Sequence, residues 1–90
     1  MPIDWTDRQW MAMPPEMEIL ECYASQPGNY KSRKPARLIW LYTLGKSRAE
    51  ILADLNISER TLERYFERWI DYGVMGVTGQ DHPELGRVWN

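Results

Sequence analysis

Ninety residues, of which 43% are hydrophobic and 27% charged, fall within the range of one small globular domain that needs neither disulfides nor metals to fold. Cys22 is the only cysteine, which excludes an intramolecular disulfide, and the chain lacks the repeated Cys/His spacing of a zinc site. A formal net charge of −2 speaks against a polyanionic partner until its distribution is read: residues 31–70 hold nine of the eleven basic residues against five acids, while 1–30 and 71–90 are both acidic.

The stretch from Met1 to Met13 mixes apolar and polar residues without a firm period, so an ordered arm of unspecified form is expected there. Pro14-Pro15 then introduces Glu16 to Ala24, with prolines at first-turn positions and acids near the positive end, which predicts a short helix stopped by Gln26-Pro27-Gly28-Asn29. Cys22 within it is expected to be a small buried apolar group. After the basic linker Lys31-Ser32-Arg33-Lys34, Pro35 opens a second helix through Ala36, Leu38, Ile39, Leu41 and Tyr42 to Leu44, with Gly45 as its stop.

Ser47 and Glu50 stand in the S-x-x-E relation of a capping box, so a third helix starts there and buries Ile51, Leu52 and Leu55. The strongest pattern follows it. Leu62, Tyr65, Phe66, Trp69 and Ile70 recur at i, i+3, i+4, i+7 and i+8, the apolar stripe of a fourth helix with Ser58 as N-cap and Tyr72-Gly73 at its end. Only Asn56-Ile57 and the cap lie between the two helices, which forces a sharp crossing, and Asn56 is suited to the positive φ of so tight a turn. Beyond Gly73, Val74–Thr78 and Leu85–Trp89 read as two short strands flanking the turn residues 79–84, among them His82, and so predict a hairpin.

The residues Gly45-Lys46-Ser47-Arg48-Ala49-Glu50-Ile51, Leu55-Asn56-Ile57-Ser58-Glu59-Arg60-Thr61-Leu62 and Tyr65 together resemble the bacterial helix-turn-helix family. Insertion-sequence transposase N-terminal domains and the winged helix-turn-helix of DeoR-type repressors are the likenesses in view, over roughly residues 35–75. Two positions depart from the family pattern: Asn56 replaces its usual glycine, and Leu52 replaces a small residue, a bulk that pushes the two helices apart. The resemblance implies a mainly α single domain, with a three-helix helix-turn-helix core in 35–72. The residues outside that core add an N-terminal arm and helix in 1–30 and, in 73–90, a β-hairpin that can be read as a wing.

The same resemblance implies double-stranded DNA as partner. The outward face of the fourth helix then presents Ser58, Arg60, Thr61 and Arg64 to base edges, since a guanidinium donates two hydrogen bonds to the O6 and N7 of guanine. Arg33, Lys34, Arg37, Ser47, Arg48, Arg68 and, from the wing, Arg87 are the candidates for phosphate contact. The plain alternative is that Arg60 and Arg64 pair with Glu63 and Glu67 on a solvated surface.

The function expected is sequence-specific binding by a small transcriptional regulator, acting as a homodimer because one helix reads too few base pairs. An accessory factor in recombination, transposition or phage DNA packaging is the neighbouring reading. A protein-binding adaptor or inhibitor, using the N-terminal segment, is the reading from another class. One His, one Cys and no phosphate loop argue against an enzyme, and no cofactor is called for. Asp4 and Asp7 stand where a secretory leader needs basic and then apolar residues, and the longest apolar run, Leu38 to Tyr42, cannot span a bilayer, so a cytoplasmic protein is expected.

Overall fold

The computed structural model describes residues 8–25 and 32–79, and these are mainly helical. A single 3-10 turn, Arg8–Trp10, precedes α1 (Pro14–Ala24), α2 (Arg33–Thr43), α3 (Arg48–Leu55), α4 (Glu59–Tyr72) and α5 (Val74–Thr78). α2 is the central element, lying against each of the other four helices.

Several helix boundaries have a local chemical cause. α1 has prolines in its first turn, and the Glu16 carboxylate reaches back to accept from the Met13 N–H at 2.7 Å, which supplies the cap that Met13 cannot. Glu16 is fully buried there, on the same face as Leu20 and Ala24. α2 starts two residues before Pro35, which sits in the first turn, where a missing N–H leaves no intrahelical bond unmade. It closes with the Gly45 N–H donating to the Tyr42 carbonyl at 3.0 Å and the Lys46 N–H to the Leu41 carbonyl at 3.1 Å, the paired bonds of a Schellman cap.

The core is built from α2 and α4. Tyr42, Phe66 and Trp69 are its largest buried side chains, with Leu38, Ile39 and Leu62 packed around them. Tyr42 and Phe66 meet edge to face, with ring centroids 4.9 Å apart. Burial of each such side chain contributes about 1.5–3 kcal/mol, which makes the inward stripe of α4 a principal source of stability. The Trp69 indole N–H is satisfied by the Trp10 carbonyl at 2.7 Å, and the Ala12 N–H donates to Thr43 Oγ1 at 2.9 Å. The N-terminal arm is therefore fastened across the core, and Trp10 covers it.

Two expectations are corrected. Val74–Thr78 is helical where its β-branched residues suggested a strand, and no strand occurs among the described residues. Val74, Val77 and Thr78 are buried at i, i+3 and i+4, a spacing that suits one turn of helix. The reversal into α5 is made by Gly73, whose φ of 65° with ψ of −143° is a conformation closed to residues with a Cβ. Gly76 then seats α5 against α4 so closely that a Cβ would stand 2.1 Å from the Arg68 carbonyl oxygen. The second half of the expected hairpin, Leu85–Trp89, lies outside the described residues, as do Arg87, His82 and the stop at 26–29. Cys22, expected to be buried, is exposed, because the inward face of α1 is set by Glu16, Leu20 and Ala24.

Candidate nucleic-acid interface

The geometry around residues 47–61 is set by three side-chain caps and one left-handed residue. Ser47 Oγ accepts from the Glu50 N–H and the Glu50 carboxylate accepts from the Ser47 N–H, both at 3.2 Å. The bond from the Ser47 N–H, followed by the Ser47 hydroxyl, holds the Glu50 carboxyl below the ordinary carboxylate range. α3 ends at Asn56, in the left-handed region with φ 54° and ψ 53°, and its N–H donates to the Leu52 carbonyl at 2.9 Å. The extended Ser58 then caps α4, its Oγ accepting from the Thr61 N–H at 3.2 Å.

Leu52, expected to be buried, is half-buried and packs on the core, and α2 lies against both α3 and α4. Ile57, also half-buried, packs against the same cluster from the turn.

With Leu62, Phe66 and Trp69 buried, α4 turns its opposite face outward. Arg60, Arg64 and Arg68 recur there every four residues, all three exposed. They form one ridge that drifts by only about 40° per step around the helix. A second ridge of Glu59, Glu63, Glu67 and Asp71 runs beside it. Despite that proximity, no carboxylate pairs with Arg60, Arg64 or Arg68 among the described residues. The guanidinium of Arg64 lies 6.0 Å from the Tyr65 ring centroid. The alternative surface pairing of Arg60 with Glu63 and of Arg64 with Glu67 does not form.

The other candidate residues divide sharply. Ser58 and Thr61 are taken up by the cap, since the Ser58 hydroxyl also donates to Thr61 Oγ1 at 3.0 Å. Ser47 is likewise engaged in its box. Arg37 makes a two-pronged bond to Asp54, Nε to Oδ1 at 2.7 Å and an Nη to Oδ2 at 3.2 Å, with its guanidinium 5.8 Å from the Trp40 ring centroid. Arg48 reaches across the turn to Glu59 at 3.2 Å. Lys34 is exposed on the first turn of α2, and Arg33 beside it is half-buried.

Asp54 and Glu59 are therefore the ion-pair partners of Arg37 and Arg48, pairings that the sequence pattern did not assign. No local signal marks them, for Arg37 and Asp54 are 17 residues apart and Arg48 and Glu59 are 11 apart. The hydrogen bonds from Arg37 hold the Asp54 carboxyl below its ordinary range against the opposing effect of burial, helped by the positive charges of Arg37, Arg33 and Lys46. The same bonds raise the affinity of Arg37 for its proton.

Among the described residues, no three His, Cys, Asp or Glu side chains gather as a metal site, and no helix is long and apolar enough to cross a membrane. No protein-family model, curated protein or solved structure matches this chain.

Proposed function

We propose that this protein binds double-stranded DNA with α4 in the major groove, as a small transcriptional regulator in which α3-turn-α4 is a helix-turn-helix. One observation carries the reading: Arg60, Arg64 and Arg68 form an exposed ridge without carboxylate partners among the described residues, although four acids share their helix. Unpaired, closely spaced guanidinium groups on a rigid helix suit a ligand rich in fixed acceptors, which the guanine edge and the phosphate backbone both provide. α4, with 14 residues, is about 21 Å long and exceeds the width of the groove.

Arg60 and Arg64, nearest the start of α4, read guanine, while Arg68 and Lys34 meet phosphate. Glu63 or Glu67 accepts from cytosine N4, the one base-edge role in the groove that suits an anion. Arg37 and Arg48, held by Asp54 and Glu59, drop out of the contact set. A homodimer on a two-fold site doubles the number of base pairs read.

The test is a titration against random and genomic duplexes at several salt concentrations, followed by selection of preferred sequences. Affinity should fall steeply with salt. Arg60→Ala should relax preference at one base position by about 1–3 kcal/mol, and Lys34→Ala should weaken every sequence alike and reduce the salt slope by about one. Salt-insensitive or absent binding at micromolar protein overturns the proposal. A protein-binding adaptor is the second reading, favoured by the exposure of Met11, Met13, Leu44, Tyr72 and Met75. Its positive result is a stoichiometric protein partner that survives nuclease treatment.

A further inference from the structure

Arg48 and Glu59 are the first residues of α3 and α4, and their 3.2 Å contact spans the turn at the end of α4 that the DNA-binding reading places in the groove. Arg48 lies four and seven residues before Leu52 and Leu55, on the side of α3 from which it reaches α4. The first helix of such a pair crosses the phosphate backbone, so an unengaged arginine at the start of α3 would be a phosphate ligand. Instead its Nη1 donates to a carboxylate oxygen, which has the charge and the acceptor geometry of a phosphate oxygen.

We infer that Glu59 is a built-in competitor for phosphate at Arg48: it keeps that arginine off the DNA backbone and so sets the sequence-independent affinity lower than the cation count implies. The inference rests on the DNA-binding reading and deepens it. The contrast within the molecule supports it, because Glu63 and Glu67 leave Arg64 and Arg60 unpaired whereas Glu59 engages Arg48. The pair is not a fixed brace of the Arg37–Asp54 kind. Its bond is single and its side chains are 39% and 65% exposed, against two bonds and 33% and 38% for the other pair. An exposed single bond is weak enough to be exchanged when an anion arrives.

The test is a double-mutant cycle of Glu59→Gln and Arg48→Ala, read as the affinity of the full chain for a fluorescein-labelled random-sequence duplex and as the salt slope of that affinity. Both side chains are at the surface, so circular dichroism should show all four proteins folded alike. Glu59→Gln should tighten binding several-fold and steepen the slope by about 0.9, the value of one further neutralised phosphate. Arg48→Ala alone should leave affinity within about twofold and the slope unchanged, since a sequestered cation contributes little. In the Glu59→Gln background it should abolish the gain. Binding by all four proteins with additive effects overturns the inference alone, because Glu59 then acts by direct repulsion and not through Arg48. Absence of binding by all four overturns the DNA-binding reading and the inference together.

Discussion

α3 and α4 begin with the same device, a serine whose hydroxyl accepts from the N–H three residues on, yet they are held in place by different forces. α4 has 14 residues and sinks Leu62, Phe66 and Trp69 into the core. α3 has eight, fully buries only Ile51 and Leu55, and is tied to α2 by Arg37–Asp54 and to α4 by Arg48–Glu59. Hydrophobic burial is insensitive to dilute salt and to pH, whereas partly exposed ion pairs respond to both. The proposed recognition helix is thus fixed by the core, and its neighbour, anchored by Ile51 and Leu55, carries in addition partly exposed ion pairs that contribute little to its placement and respond to salt.

The largest effect expected from testing that contrast is at Phe66. Phe66→Ala should lower the stability of the whole domain by about 3–5 kcal/mol, read as the denaturant midpoint, since it removes a fully buried ring that packs on Tyr42. A loss under about 1 kcal/mol would mean that the stripe of α4 is not what anchors it. Gly76→Ala comes next. A methyl group there meets backbone and not a flexible side chain, so α5 must shift away from α4, at about 1–3 kcal/mol. If the variant melts with the wild type, α5 does not pack as closely as described.

Asp54→Asn should have the smallest effect, below about 1 kcal/mol, because both partners of the pair are about a third exposed. Its pH dependence is more informative than its size. The folded Asp54 carboxyl lies below its unfolded value, so its contribution is complete above the ordinary aspartate range, near pH 4, and is lost as the pH falls through the folded value. The difference between wild type and Asp54→Asn should therefore be constant at neutral pH and vanish in acid, as well as shrink in high salt. A difference that persists in acid would assign the residue a role other than its charge.

Most of the helix boundaries were legible in the chain because their causes are local. Ser47 with Glu50, the Asn56 turn, the Ser58 cap and the 62/66/69 stripe are each settled within about two helical turns, where side chain and backbone meet whatever the rest of the protein does. Val74–Thr78 departs from its sequence pattern because five residues with β-branched side chains at 74, 77 and 78 suit a strand or a turn of helix equally well. What decided between them was the close seat of Gly76 on the Arg68 carbonyl, eight residues earlier and on another helix. Cys22 is exposed for a related reason: the inward face of α1 is led by Glu16, a residue type almost never buried unless its carboxylate is satisfied, as it is here by the Met13 N–H.

The candidate site divides along the same line. The spacing of Arg60, Arg64 and Arg68 places them on one ridge of α4 from the sequence alone, because helical periodicity and the apolar stripe together dictate which face points outward. Which cations remain available to a ligand was a tertiary outcome. Arg37 and Arg48 look like their neighbours in the chain, but folding brings Asp54 and Glu59 within hydrogen-bond reach of them, while Arg60, Arg64 and Arg68 pair with no carboxylate among the described residues. Charge pairing depends on distances of a few ångströms between elements, and no count of acids and bases along a chain determines those distances.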